Sequence, residues 1–251
     1  MAKLEIPGYL NVFHSVTNTL LFGVVAVIVF FAILRAPLTD REKWRFGITL
    51  AATGIGWMVL AAGLAVGGGF LPGAFGPISA IPVALLLPVL VFSVWLTRAK
   101  SAAAVLEAIP LEWLIRIQFM RVLGGIFVVL YLDGFLPSVF ALPAGLGDAA
   151  TGLLALPVAY LVARNSPWAR PSAYAWSLFG ILDLMVAVSV GFPSSPGPFQ
   201  QLAFENPNAL IGQYPLVMIP VFAVPVFLIL HILTLRKLAR QEIFGAAPSF
   251  R

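Results

Sequence analysis

Seven stretches of mostly apolar residues follow one another along the chain, at 12–34, 46–67, 78–97, 113–136, 143–163, 171–192 and 213–235. Each is long enough for a helix to cross the hydrocarbon core of a bilayer, which takes about 20 residues. Little is left over to build a water-facing surface. Only 10% of the 251 residues are charged and 61% are hydrophobic, against about 25% charge in a soluble domain. A chain so poor in charge has to be solvated by lipid. The expected fold is therefore a single all-α domain, a bundle of seven transmembrane helices. The first run ends in Arg35-Ala36-Pro37 and is too long for the core of a signal peptide, so it reads as a retained helix.

The connections between the runs alternate in character. One set carries Arg35, Arg41, Lys43 and Arg45, then Arg98 and Lys100, then Arg164 and Arg170, then Arg236, Lys237 and Arg240. The other set, at 68–77, 137–142 and 193–212, holds no Lys or Arg. Apart from Lys3, every basic residue falls on the first side or in the adjoining half of a helix. By the positive-inside rule that side is cytoplasmic. The N-terminus is then outside, the C-terminus inside, and the expected location is a plasma membrane of the bacterial inner-membrane type. The formal charge of +5 is accounted for by topology, so no nucleic-acid partner is expected.

The outer connections are rich in Gly and Pro, and the longest, 192–212, carries Glu205 and Asn206. It is either a lid over an outward opening or simply a long loop. Trp44, Trp57, Trp95, Trp113, Trp168 and Trp176 mostly lie near span ends, as an interfacial aromatic belt would place them. The second span holds Gly47, Gly54, Gly56, Gly63 and Gly67, small residues of the kind that let helices approach closely in lipid, so it is expected to be buried in the bundle.

The third and seventh spans resemble each other. Pro77, Ile81-Pro82-Val83 and Arg98 correspond to Pro215, Ile219-Pro220-Val221 and Arg236 at one constant offset. The second and sixth spans share Phe46-Gly47-Ile48 and Phe179-Gly180-Ile181. This pattern suits two parallel three-helix repeats joined by the fourth helix, a 3+1+3 arrangement of a kind common among transporters. In layout it resembles the small seven-helix sugar carriers, although no Pro here is followed by the Gln of their signature.

Ionisable side chains inside a bilayer are costly and should be paired or face a cavity. At about 1.5 Å per residue, Asp183 falls near the middle of the sixth span and Arg121 about 6 Å toward the cytoplasm on the fourth. Gln118 lies a turn further in, near the depth of His231. Asp148 lies about 7 Å toward the outside, at a height similar to Asn18 with His14 a turn above. The expectation is an inner basic cluster (Gln118, Arg121, His231) and an outer polar one (His14, Asn18, Asp148), with Asp183 between them and pairing with Arg121. Gln118, Arg121 and Gly125 would share a helical face at i, i+3 and i+7. Asp148 stands among Gly145, Gly147 and Gly152. Either it occupies the first turn of its helix, where the helix dipole stabilises it, or the glycines open space for it to meet a ligand, cation or proton.

Several chemistries are excluded. Cysteine is absent, two histidines fall on opposite halves of the membrane, and carboxylates are few, so neither a metal site nor a bound cofactor is expected. Lys3, Lys43, Lys100 and Lys237 lie outside the spans or at their ends, which removes a mid-helix Schiff base. No P-loop or dinucleotide pattern is present. Three functions are left. The first is a small carrier or binder of a small organic or amphiphilic molecule, proton-coupled through a membrane acid. The second is a non-catalytic subunit or assembly factor, with a homo-oligomer or membrane-complex partner. The third is an enzyme acting on membrane lipid, which the separate depths of acid and histidine disfavour.

Overall fold

Residues 6–245 are described by a computed structural model, and Lys3 lies outside them. Among the described residues the chain is helical, with no strand. Six helical stretches are long and apolar enough to cross a membrane: Tyr9–Arg35, Asp40–Val66, Leu111–Leu132, Ser138–Ala163, Ala169–Ser194 and Ile219–Arg240. This is the make-up of a multi-pass membrane protein. We label α1 (Tyr9–Arg35), α2 (Asp40–Val66), α3 (Ile81–Arg98) and α4 (Lys100–Ala108); the chain turns by 92° between the last two. The fourth stretch of the sequence is a composite of α5 (Leu111–Arg116), a 3₁₀ segment (Ile117–Gly125) and α6 (Ile126–Leu132). Then come α7 (Ser138–Ala163), α8 (Ala169–Ser194), a π turn (Ile219–Ala223) and α9 (Val224–Gly245).

α1 and α2 touch the rest of the chain along narrow seams. On α1 only Leu10, Leu21 and Ala32 are buried, while Val12, Val16, Leu20, Val24, Val27 and Phe30 face outward. Such a continuous apolar exterior is unfavourable in water and suits lipid. α2 starts at a capping box, in which Thr39 and Glu42 satisfy each other's backbone N–H groups. The expectation that α2 is buried does not hold. Only Phe46, Ala61 and Ala65 are buried, and a Cβ added at Gly54, Gly56 or Gly63 would meet nothing within 4 Å beyond the adjoining backbone of its own helix. Glycine spacing marks a surface that permits close approach, but it does not say that the partner belongs to the same chain.

The dense part of the molecule is α7, packed between α8 and the 111–132 stretch. Gly145 and Gly152 set that distance: a Cβ at Gly152 would fall 2.6 Å from the backbone nitrogen of Val122, and one at Gly145 2.8 Å from the Val128 side chain. α7 begins after Pro137, earlier than the apolar run at 143–163 implied, so 138–142 is helix rather than outer connection. Pro143 near the start and Pro157 further along are accommodated inside it.

Prolines also shape the last span. Pro220 and Pro225 cannot donate to the carbonyls of Leu216 and Val221, the acceptors four residues back. Ile219 N takes the first at 3.0 Å, and the indole Nε1 of Trp57 on α2 takes the second at 2.9 Å. The π turn is thus held from a neighbouring helix.

The basic side chains gather at one end and hold helix carbonyls there. Lys43 donates to Leu34 O at 3.1 Å, Arg236 to Leu96 O at 2.7 Å, and Arg170 to Leu238 O at 3.2 Å. The Lys237 ammonium, itself buried, donates to the carbonyls of Leu106 and Glu107 at 3.0 Å each and to that of Ile109. It therefore fastens the C-terminal end of α4, where free carbonyls and the helix dipole favour a cation.

Candidate functional site

Arg121 is 1% exposed and spends its donors on four partners from three other helices. Nε donates to Asp148 Oδ1 at 2.8 Å, and Nη2 donates to Asp183 Oδ2. Nη1 lies 3.1 Å from both the Gly180 carbonyl and His231 Nε2. The Phe227 ring sits 5.9 Å from the guanidinium carbon. A guanidinium only donates, so His231 Nε2 must accept and its proton rests on Nδ1. The imidazole is then neutral. Nδ1 has no hydrogen-bond partner, and the ring lies 4.9 Å from that of Trp176, whose indole donates to Thr151 O at 2.9 Å.

Local backbone chemistry makes room for this cluster. Arg121 lies in the 3₁₀ segment, where positions i and i+3 eclipse. Gln118, Arg121 and Gly124 therefore stack, and the expected α-helical face ending at Gly125 is not formed. Gly124 lies against the Asp148 carboxylate, whereas Gly125 faces open space. Gly147 lies against the Asp183 carboxylate and Gly180 against the His231 ring. A Cβ at Gly124, Gly147 or Gly180 would overlap its neighbour.

The division into two clusters at different depths is corrected. Asp148 joins Arg121, Asp183 and His231 in one compact centre, because the guanidinium reaches both carboxylates and the imidazole at once. The Arg121–Asp183 pair is present, as one of two. Nor is Asp148 in the first turn of its helix, since α7 starts roughly ten residues earlier at Ser138, beyond the reach of a dipole effect confined to the end turn. The glycines around it serve close helix packing and make room for Asp183. His14 and Asn18 stay apart on α1, bonded to each other at 2.8 Å, with Tyr214 stacked edge-on to His14 at 5.2 Å. Gln118 is fully buried, and neither of its side-chain polar atoms has a partner.

Above Asp148 lies a cavity of about 510 Å³. Its walls are Ile81, Pro82 and Leu85 of α3, Leu184, Ala187, Val188 and Gly191 of α8, and the rings of Phe127 and Phe140. The loops at 70–79 and 192–213 close it above, with Leu71 and Phe199 exposed at the rim. The long loop is thus part of the wall, tied down by Asn208 N to Ser194 O and Gln201 N to Pro193 O, each at 2.8 Å. Glu205 and Asn206, the polar residues conspicuous in the sequence, are exposed. Asn208 instead lines the cavity, fully buried, with Oδ1 lacking any partner.

Sequence reasoning missed Asn208, Trp176 and Phe227. For Trp176 a signal existed: Ala173, Trp176, Ser177, Gly180, Asp183 and Leu184 recur at helical spacing and form the buried face of α8. Among the described residues no group of three or more His, Cys, Asp or Glu is placed to hold a metal ion. Arg121 occupies the space between Asp148, Asp183 and His231.

The chain belongs to a family described as a domain of unknown function (DUF8737), which matches residues 83–239. That stretch contains the whole Arg121 cluster and leaves out α1 and α2. No curated protein matches the chain, and no solved structure does.

Proposed function

We propose that this member of the DUF8737 family is a small carrier or binder that takes a small organic or amphiphilic molecule into the cavity above Asp148. The observation that carries the reading is the cavity itself: apolar walls, a volume of about 510 Å³, and a buried carboxylate at its floor. Ligand pockets commonly measure about 300–1,000 Å³ and combine apolar walls with a few placed polar groups. An ionisable cluster inside a membrane is by default functional. Any proton coupling would run through Asp148 and Asp183, which share one guanidinium.

In this reading the protein crosses a plasma membrane of the bacterial inner-membrane type seven times. α3 is the seventh span, and α4 lies along the surface after the bend. The Lys- and Arg-rich end faces the cytoplasm, the N-terminus is outside, and the cavity lies in the outer half beneath the outer loops. Parallel three-helix repeats fit the same scheme: Ile81-Pro82 opens α3 and Ile219-Pro220 opens the π turn.

Reconstituted liposomes incubated in a cell extract, then washed, test the function. At least one solute should be retained above the level of empty liposomes. Retention equal to that of empty liposomes counts against a carrier. Gly56 and Gly63, exposed seven residues apart on α2 and with open space beside them, favour a second reading as a subunit of a membrane complex. Co-purification of a stoichiometric protein partner would support that one.

A further inference from the structure

The geometry points to a hydrophobic amine, in its protonated ammonium form, as the class of molecule the cavity takes; this rests on the cavity being a ligand site. Among the described residues that line it, Asp148 is the one ionisable side chain, and no Lys, Arg or His reaches its wall. The charge balance beneath the floor is unequal. One guanidinium faces two carboxylates while His231 is neutral, so with both acids ionised the cluster carries one negative charge in excess. Of those acids only Asp148 borders the cavity. Its Oδ1 takes the Nε–H of Arg121, and no hydrogen bond reaches its Oδ2 among the described residues. A buried, unbalanced carboxylate is relieved by a cation that it can also hydrogen-bond.

A second feature agrees independently. Asn208 lines the same cavity and is fully buried, and its acceptor Oδ1 has no hydrogen-bond partner. An acceptor left open calls for a guest that donates. An ammonium has only donors, and a carboxylate or phosphate guest would offer neither position what it lacks. The Phe127 and Phe140 rings in the wall add a surface that tolerates a cation.

The test uses three matched probes with one aromatic tail: 4-phenylbutylamine, 4-phenylbutanol and 4-phenylbutyrate. Binding to the full-length protein in nanodiscs is measured against empty nanodiscs. The amine should bind at least about tenfold tighter than the alcohol, the least expected of a charge-assisted contact, and the acid weakest of all. Asp148→Asn should remove the advantage of the amine and leave the alcohol unchanged. If that variant does not fold, Ala187→Arg sets a permanent cation in the wall and should weaken amine binding at least about tenfold by like-charge repulsion. Alcohol or acid binding as tightly as the amine overturns the amine assignment and leaves the cavity reading standing. Absence of binding by all three overturns both.

Discussion

Arg121 Nε and Asp148 Oδ1 meet at 2.8 Å although the two residues come from different spans, and the guanidinium is wholly buried while the carboxylate borders a cavity. One group therefore faces the protein and the other faces whatever fills the space above. Removing the guanidinium would strand two carboxylates. Arg121→Gln should cost about 3–5 kcal/mol, the usual loss when one partner of a buried pair is deleted. In an Asp148→Asn/Asp183→Asn background the same change should cost much less. Thermal unfolding in detergent, run as a mutant cycle, measures the coupling; additive losses would show that the charges do not act together.

The glycines separate into two kinds. Gly147→Ala places a methyl group against the Asp183 carboxylate and should destabilise by at least about 1–3 kcal/mol, as overpacking does. Gly56→Ala on α2 meets open space and should leave stability within about 1 kcal/mol, the range of helix propensity. Equal effects on unfolding midpoints would contradict the assignment of each glycine.

Trp57 supplies the hydrogen bond that Pro225 cannot. Trp57→Phe keeps the ring but orphans the Val221 carbonyl, at a cost of about 1–3 kcal/mol. Pro225→Ala restores a backbone donor, so the double variant should recover part of that loss. A double variant no more stable than Trp57→Phe would mean the indole contributes only packing.

Lys237 holds the end of α4. Lys237→Met should free the carbonyls of Leu106, Glu107 and Ile109 and raise amide exchange across 100–108, with little change in α7. Unchanged exchange at α4 would place its anchoring elsewhere.

How far the sequence went follows from what each signal measures. Apolar length located the six helices long enough to cross a membrane, because a bilayer demands it of each helix separately. Charge placement put Arg236 and Lys237 at a shared end, yet gave no hint that Lys237 would turn inward to carbonyls of α4. Depth along a helix placed Arg121 near Asp183 but put Asp148 in the wrong cluster. Depth ignores side-chain reach, and the start of α7 before Pro143 was hidden by a proline that the helix accommodates. The face through Gln118 and Arg121 ended at Gly125 on a period of 3.6, while the 3₁₀ segment turns Gly124 inward instead. Asn208 lay in a loop, where no periodicity reports burial.

The central claim is that the cavity above Asp148 holds a small molecule. Mass spectrometry of the small-molecule fraction released from purified protein tests it, comparing the wild type with Ala187→Trp, which fills the cavity from the face of α8. At equal unfolding midpoints, the wild type should release one organic species in near-stoichiometric amount, and Ala187→Trp should release none. The same content from both proteins would contradict the account.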